Sequence, residues 1–170
     1  MPLSSCPRGV TLIEVLVAML VFSLGLIGAA GLMAMAARAN QSAYLRTQVS
    51  FLAQNMAERM HANLIGVWNG DYDGSYPDAS AQDCDKGCTP SQLARHDRQS
   101  WSSQLKTFLP PGPEATVRCD QDGVLHAPSR EQIALRPPYG GICSMTIRWA
   151  ERHSVDAKAL RQTFTWTFQP

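Results

Sequence analysis

The chain has 170 residues, 45% hydrophobic and 17% charged, with 15 Lys+Arg against 14 Asp+Glu for a net charge of +1. That near-neutral balance argues against a general nucleic-acid footprint, which needs a basic excess or a clustered basic face. Setting aside the long apolar run near the N-terminus leaves about 100–130 residues, enough for one modest domain.

Met1–Gly9 (MPLSSCPRG) is a short segment whose one basic residue is Arg8. From Val10 to Ala37 the sequence is apolar, and its single charged residue is Glu14. About 28 residues at about 1.5 Å each make about 42 Å of helix, more than the roughly 30 Å that a bilayer needs. Backbone polar groups find no water inside lipid, so such a run must be helical there. An acidic residue at the centre of a span costs about 2.5–3.5 kcal/mol on insertion scales and is a functional hypothesis by default. Glu14 lies about four residues inside the run, close enough to an interface to soften that cost. An ordinary secretory signal would have a shorter apolar core and a small-residue cut after it, which Ala34-Met35-Ala36 could imitate. The positive-inside bias from Arg8 is mild, because Arg38 and Arg46 follow the run. Gly25, Gly28 and Gly31 loosen the helix, each by about 1 kcal/mol of propensity against alanine. Gly25 and Ala29 make a small-xxx-small pair for close helix contact.

Past Ala37 the helix continues with a changed character. Leu45, Val49, Leu52, Met56 and Met60 recur at spacings of three and four, an apolar stripe on one face. Arg38, Gln41, Gln48, Asn55 and Arg59 fill in around it. The stripe predicts a stalk on which a sheet can sit.

Leu64 to Cys88 shifts to Gly, Asp, Tyr, Ser and Pro, which predicts loop. Asp71-Tyr-Asp73-Gly74 and Asp120-Gln-Asp122-Gly123 hint at calcium loops, but neither has the glycine that an EF-hand needs at its sixth position. Turns are the better reading, and no metal or cofactor is expected. Thr89-Pro90-Ser91-Gln92 is a capping box with proline at the first helical position. It predicts a helix to about Phe108 that buries Leu93, Trp101, Leu105 and Phe108, stopped by Pro110-Pro111-Gly112-Pro113. Three strands should follow, with apolar faces Ala115/Val117/Cys119, Cys143/Met145/Ile147/Trp149 and Phe164/Trp166/Phe168. One apolar face per strand describes an antiparallel sheet covered on one side. Gln121 to Gly141 is expected to be mostly loop, with Ile133-Ala134-Leu135 a short edge strand.

No nucleophile, metalloprotease or phosphate-loop motif is present in the sequence. His61, His96, His126 and His153 are scattered among polar residues, which predicts surface positions. The chain is not expected to be an enzyme.

Arg8-Gly9-Val10-Thr11-Leu12-Ile13-Glu14 ahead of the long apolar run resembles the prepilin cleavage motif of type IV pilins and type II secretion pseudopilins. The resemblance implies cleavage by a prepilin peptidase between Gly9 and Val10, N-methylation of Val10, and a subunit-pairing role for Glu14. It also implies an α+β pilin-like fold: a long N-terminal helix packed on an antiparallel sheet of three to four strands, with one extra helix around 90–108. The expected division is a leader at 1–9, a membrane and assembly half at 10–37, an amphipathic half at 38–63 and a periplasmic head at 64–170. Where major pilins commonly carry a proline that melts in the filament, this chain has Gly31.

Ser42-Ala-Tyr44-Leu-Arg46, then Leu52 to Asn63, a cysteine-bearing loop and a helix with Trp101 follow in an order similar to PilV-type minor pilins. That resemblance implies a low-abundance subunit that joins other minor pilins and the major pilin on an inner-membrane assembly platform. Such a subunit primes assembly and caps the tip, with a tip adhesin as a further partner, and supports motility and adhesion. Its expected place is the inner membrane with the head in the periplasm, then the pilus tip. A minor pseudopilin of type II secretion is the alternative, and a ligand-binding tip pilin the third.

Cys6 falls in the leader, which leaves Cys84, Cys88, Cys119 and Cys143. An even number in an exported segment reads as two disulfides. The spacing fits zinc fingers poorly. Four cysteines allow three pairings. The expected one closes a small loop with Cys84–Cys88 and joins two strands with Cys119–Cys143.

Overall fold

The computed structural model describes residues 9–79, 81–121, 127–152 and 159–170. In chain order they form α1 (Leu12–Ala62), α2 (Leu64–Trp68), β1 (Gly74–Tyr76), α3 (Pro90–Phe108), β2 (Glu114–Asp120), α4 (Arg130–Ile133), β3 (Ile142–Arg152) and β4 (Ala159–Phe168). The fold is α+β and pilin-like, a long N-terminal helix packed on a four-stranded antiparallel sheet. The chain divides into two compact units, one ending at Ala43 and the other spanning Tyr44–Pro170.

In the first unit, every described residue except the half-buried Ser42 is exposed, apolar side chains included. α1 holds a stretch long and apolar enough to cross a membrane, with none of it buried. Water is the wrong solvent for such a surface, since each large apolar side chain gains about 1.5–3 kcal/mol from burial.

Within the second unit, α1 has the opposite character. Leu45, Val49, Leu52, Met56 and Met60 are buried as their spacing requires, together with Ala53. They join one core with Trp101 and Leu105 of α3 and with Val117, Met145 and Ile147 of the sheet. The strand order is β1-β2-β3-β4, every pair antiparallel and the register unbroken from Arg152↔Ala159 to Cys143↔Phe168. Phe164, Trp166 and Phe168 are only partly buried, because β4 is the last strand and receives less cover.

Three sequence expectations need correction. Leu64–Cys88 is not all loop: α2 forms with Asn63 as its N-cap, whose side chain accepts from the Gly66 N–H, and β1 pairs with β2. Elements of five and three residues are too short to leave a periodic signal. α3 does span Pro90–Phe108 with both halves of its capping box made, but Phe108 is half exposed and Leu93 only partly buried. The chain turns extended at Leu109, whose side chain takes the buried place instead. Ile133-Ala134-Leu135 is not a strand. Ser129 and Gln132 form a second capping box that starts α4, and Leu135 is exposed.

Two glycines are needed where they stand. A Cβ at Gly141 would lie 2.1 Å from the carbonyl oxygen of Asp120. Gly74 opens β1 at φ 149°, and a Cβ there would press on Arg98.

Candidate functional site

Gly9 and Val10 precede α1 in non-helical backbone, and both are exposed. The helix is closed at its start by Thr11, whose carbonyl accepts from the N–H groups of Glu14 at 3.1 Å and Val15 at 3.3 Å. Glu14 therefore sits in the first turn, where the helix dipole favours a negative charge. Its side chain is exposed and borders a surface depression together with Val10, Val15, Ala18, Met19 and Phe22. The first residue after a Gly9–Val10 cut and the lone acidic residue of the apolar run thus lie on one patch. A carboxylate amid so many alkyl side chains has few ways to lower its energy, and a nearby cation is the simplest.

Residues 5–30 match the family model of the prokaryotic N-terminal methylation motif. The motif is prepilin-type, and it supports a type IV pilin or pseudopilin-like subunit. It implies processing by a prepilin peptidase and assembly with other pilins, and with the apolar helix it fits membrane anchoring and a pilus location. The match ends within the apolar half of α1 and leaves the head uncovered. No curated protein and no solved structure matches the chain.

The head of this pilin-like chain is built around a polar seam joining α1 to α3. Asp97 is buried and accepts from Arg59 Nη1 at 2.8 Å through Oδ1 and from the Tyr72 hydroxyl at 2.7 Å through Oδ2. Arg59 also donates to Asn55 and Ser100. Asn63 Nδ2 donates to the Tyr72 oxygen and to the carbonyl of Pro90. Burial, with the Asp97 hydrogen bond next, raises the Tyr72 hydroxyl above its ordinary range, so it remains a donor. Tyr76 is raised in the same way by burial and donates to the Tyr72 carbonyl. Several positions that carry the PilV-type resemblance, Asn55, Arg59 and Asn63, thus hold the head together.

Cys84 and Cys88 are bonded to each other in the loop before α3, and Cys119 is bonded to Cys143 directly opposite it on β2 and β3. His61 is exposed, and His96 Nδ1 lies 2.8 Å from the Gln82 carbonyl; His126 and His153 lie outside the described residues. The Asp71–Asp73 stretch is a turn before β1, whereas Asp122 and Gly123 also lie outside the described residues. Among the described residues no group of three or more His, Cys, Asp or Glu is placed to hold a metal ion. Sequence reasoning missed Asp97, Tyr72 and the β1 edge, since none of them carries a periodic or motif signal.

Proposed function

We propose that this chain is a minor pilin of the type IV pilus, of the PilV type. It joins other minor pilins in a complex that primes assembly and caps the tip, in support of pilus biogenesis, twitching motility and adhesion. The observation that carries the reading is the prepilin-type motif at the head of a helix whose first half is exposed and, apart from Glu14 and Ser23, apolar. In this reading residues 1–9 are the leader, 10–37 the membrane and assembly half, 38–63 the amphipathic half and 64–170 the periplasmic head. A prepilin peptidase cuts between Gly9 and Val10, and Val10 is methylated. Glu14 meets the new N-terminal amine of a neighbouring subunit while both are still in lipid. Such a contact selects the axial register of subunits, because a charge left unpaired there is costly.

The motif is shared with pseudopilins, so a minor pseudopilin of type II secretion is the second reading. The cysteine-bearing insertion before α3 favours the pilin, since the pseudopilins of that type are generally shorter and lack it. Mass spectrometry of protein from a host with a prepilin peptidase tests the processing step. A methylated chain that starts at Val10 is expected, and one that starts at Ala37 or later overturns it. Surface piliation in a strain lacking the gene separates the two readings. Lost pili with normal secretion supports the pilin, and the reverse supports the pseudopilin.

A further inference from the structure

The outer face of the sheet carries an arrangement that subunit assembly does not account for. Side chains alternate between the two faces of each strand, so residues between the core positions form a second grid. The register places Ser75 opposite Thr116, Thr116 opposite Thr146, and Thr146 opposite Thr165. Four hydroxyls from four strands therefore stand in a row, and strands about 4.8 Å apart give it a span of about 14 Å. On one side runs Arg118, Ser144 and Thr167, and on the other Glu114, Arg148 and Thr163. Ser75, Glu114, Thr116, Thr146 and Arg148 line a depression on this face.

The charges on the face are not equivalent. Glu114 is taken by Arg161 at 2.7 Å. Arg118 and Arg148 are exposed and make no ion pair among the described residues. A guanidinium that makes no direct ion pair thus stands on each side of the hydroxyl row, with Glu114 in the neighbourhood of Arg148 and Asp73 in that of Arg118.

We propose that this face binds a linear polyuronate, an acidic polysaccharide with a carboxylate on each sugar. Serine and threonine hydroxyls both donate and accept, which suits sugar hydroxyls. A planar guanidinium fits a carboxylate with two parallel hydrogen bonds. A row crossing four strands suits an extended chain better than a single sugar. Single-stranded nucleic acid is the less suitable polyanion, because its binding leans on aromatic side chains that stack with bases. Trp149, Phe164, Trp166 and Phe168 occupy the core-side register positions, and no aromatic residue lies at an outer-face position among the described residues.

The test uses the full chain in detergent micelles, titrated calorimetrically with oligogalacturonate, with a neutral cello-oligosaccharide, and with single-stranded DNA. Saturable binding of oligogalacturonate is expected, with no binding of the neutral chain. Arg148→Gln and Arg118→Gln should each weaken it about tenfold, the loss of a charged hydrogen bond. Thr146→Val should weaken it several-fold with an unchanged unfolding midpoint. Because Arg118 and Arg148 lie on different strands, one variant still decides if the other disturbs the sheet. Absence of oligogalacturonate binding, binding indifferent to both arginine variants, or equal affinity for DNA would each overturn the proposal.

Discussion

Trp101 Nε1 donates to the main-chain carbonyl of Leu52 at 2.8 Å, between two buried residues on α3 and α1. That carbonyl lies inside a helix, so the indole bond is an additional one and fixes the rotation of α3 against α1. Trp101→Phe removes the bond but keeps most of the ring, and should destabilise the head by about 1–3 kcal/mol. Trp101→Ala should cost about 3–5 kcal/mol through the cavity it leaves. Chemical denaturation of the purified protein, followed by circular dichroism, reads both values.

Asp97 ties the same two helices through charge. Its side chain is 8% exposed and that of Arg59 25%, so the pair is screened on one side only. Asp97→Ala strands the Arg59 guanidinium and the Tyr72 hydroxyl together, and should cost about 2–4 kcal/mol. Asp97→Asn keeps acceptor capacity toward one partner and should cost visibly less. Equal destabilisation by the two variants would mean that charge, rather than hydrogen bonding, dominates the seam.

Asp73 gives a pH signature. Its carboxyl is raised above the ordinary aspartate range, mainly by burial, although it accepts from the Cys119 N–H and lies near Arg118 and Arg98. The folded state therefore holds this proton at pH values where the unfolded chain has released it. Its contribution to stability is present below the unfolded pKa and is lost as pH rises through the folded one. Asp73→Asn should remove that slope and leave the head as stable as wild type or slightly more so at neutral pH. The difference should stay under about 1 kcal/mol, since the group is partly solvated. Parallel unfolding curves between acid and neutral pH isolate the effect from that of Glu114, whose carboxyl is lowered by Arg161 and acts in the opposite sense.

Cys119–Cys143 joins residues 24 apart in sequence, whereas Cys84–Cys88 joins residues only 4 apart. In the chain-entropy model the longer loop is worth roughly 3 kcal/mol and the shorter one less. The paired replacement Cys119→Ser with Cys143→Ser should thus lower the unfolding midpoint more than Cys84→Ser with Cys88→Ser. Non-reducing peptide maps of the wild type should yield these two linked peptides.

Glu14→Ala probes assembly separately from folding. None of the core residues is near it in sequence, so cleavage and the head's unfolding midpoint should be unchanged. Co-purification with other minor pilins and surface piliation should fall. Wild-type piliation in the variant would reduce Glu14 to a charge that the helix start tolerates.

What the sequence determined by itself was everything written in short-range periodicity. The run from Val10 to Ala37 requires helix and an apolar medium, whatever lies downstream. The stripe from Leu45 to Met60 and the alternations around Val117, Met145 and Trp166 fix which side of each element turns inward, because helices repeat every 3.6 residues and strands every 2.0. Capping residues announce helix starts in the same local way, Thr89 with Gln92 for α3 and Ser129 with Gln132 for α4. Tertiary structure decided what depends on partners distant in the chain. Gly74–Tyr76 is a strand only because Ala115–Val117 lies beside it. Asp97, which looks like a surface residue in a polar helix, is buried because Arg59 and Tyr72 arrive from 38 and 25 residues away. Phe108 lost its buried place to Leu109 because α3 ends at Phe108 and the backbone turns extended at the next residue. Cys119 faces Cys143, and the four hydroxyls line up, through a strand register that local pattern leaves free to slide by two residues. Packing one face of the sheet into the core it shares with α1 and α3 removes that freedom, because each slip would pull core side chains out of contact.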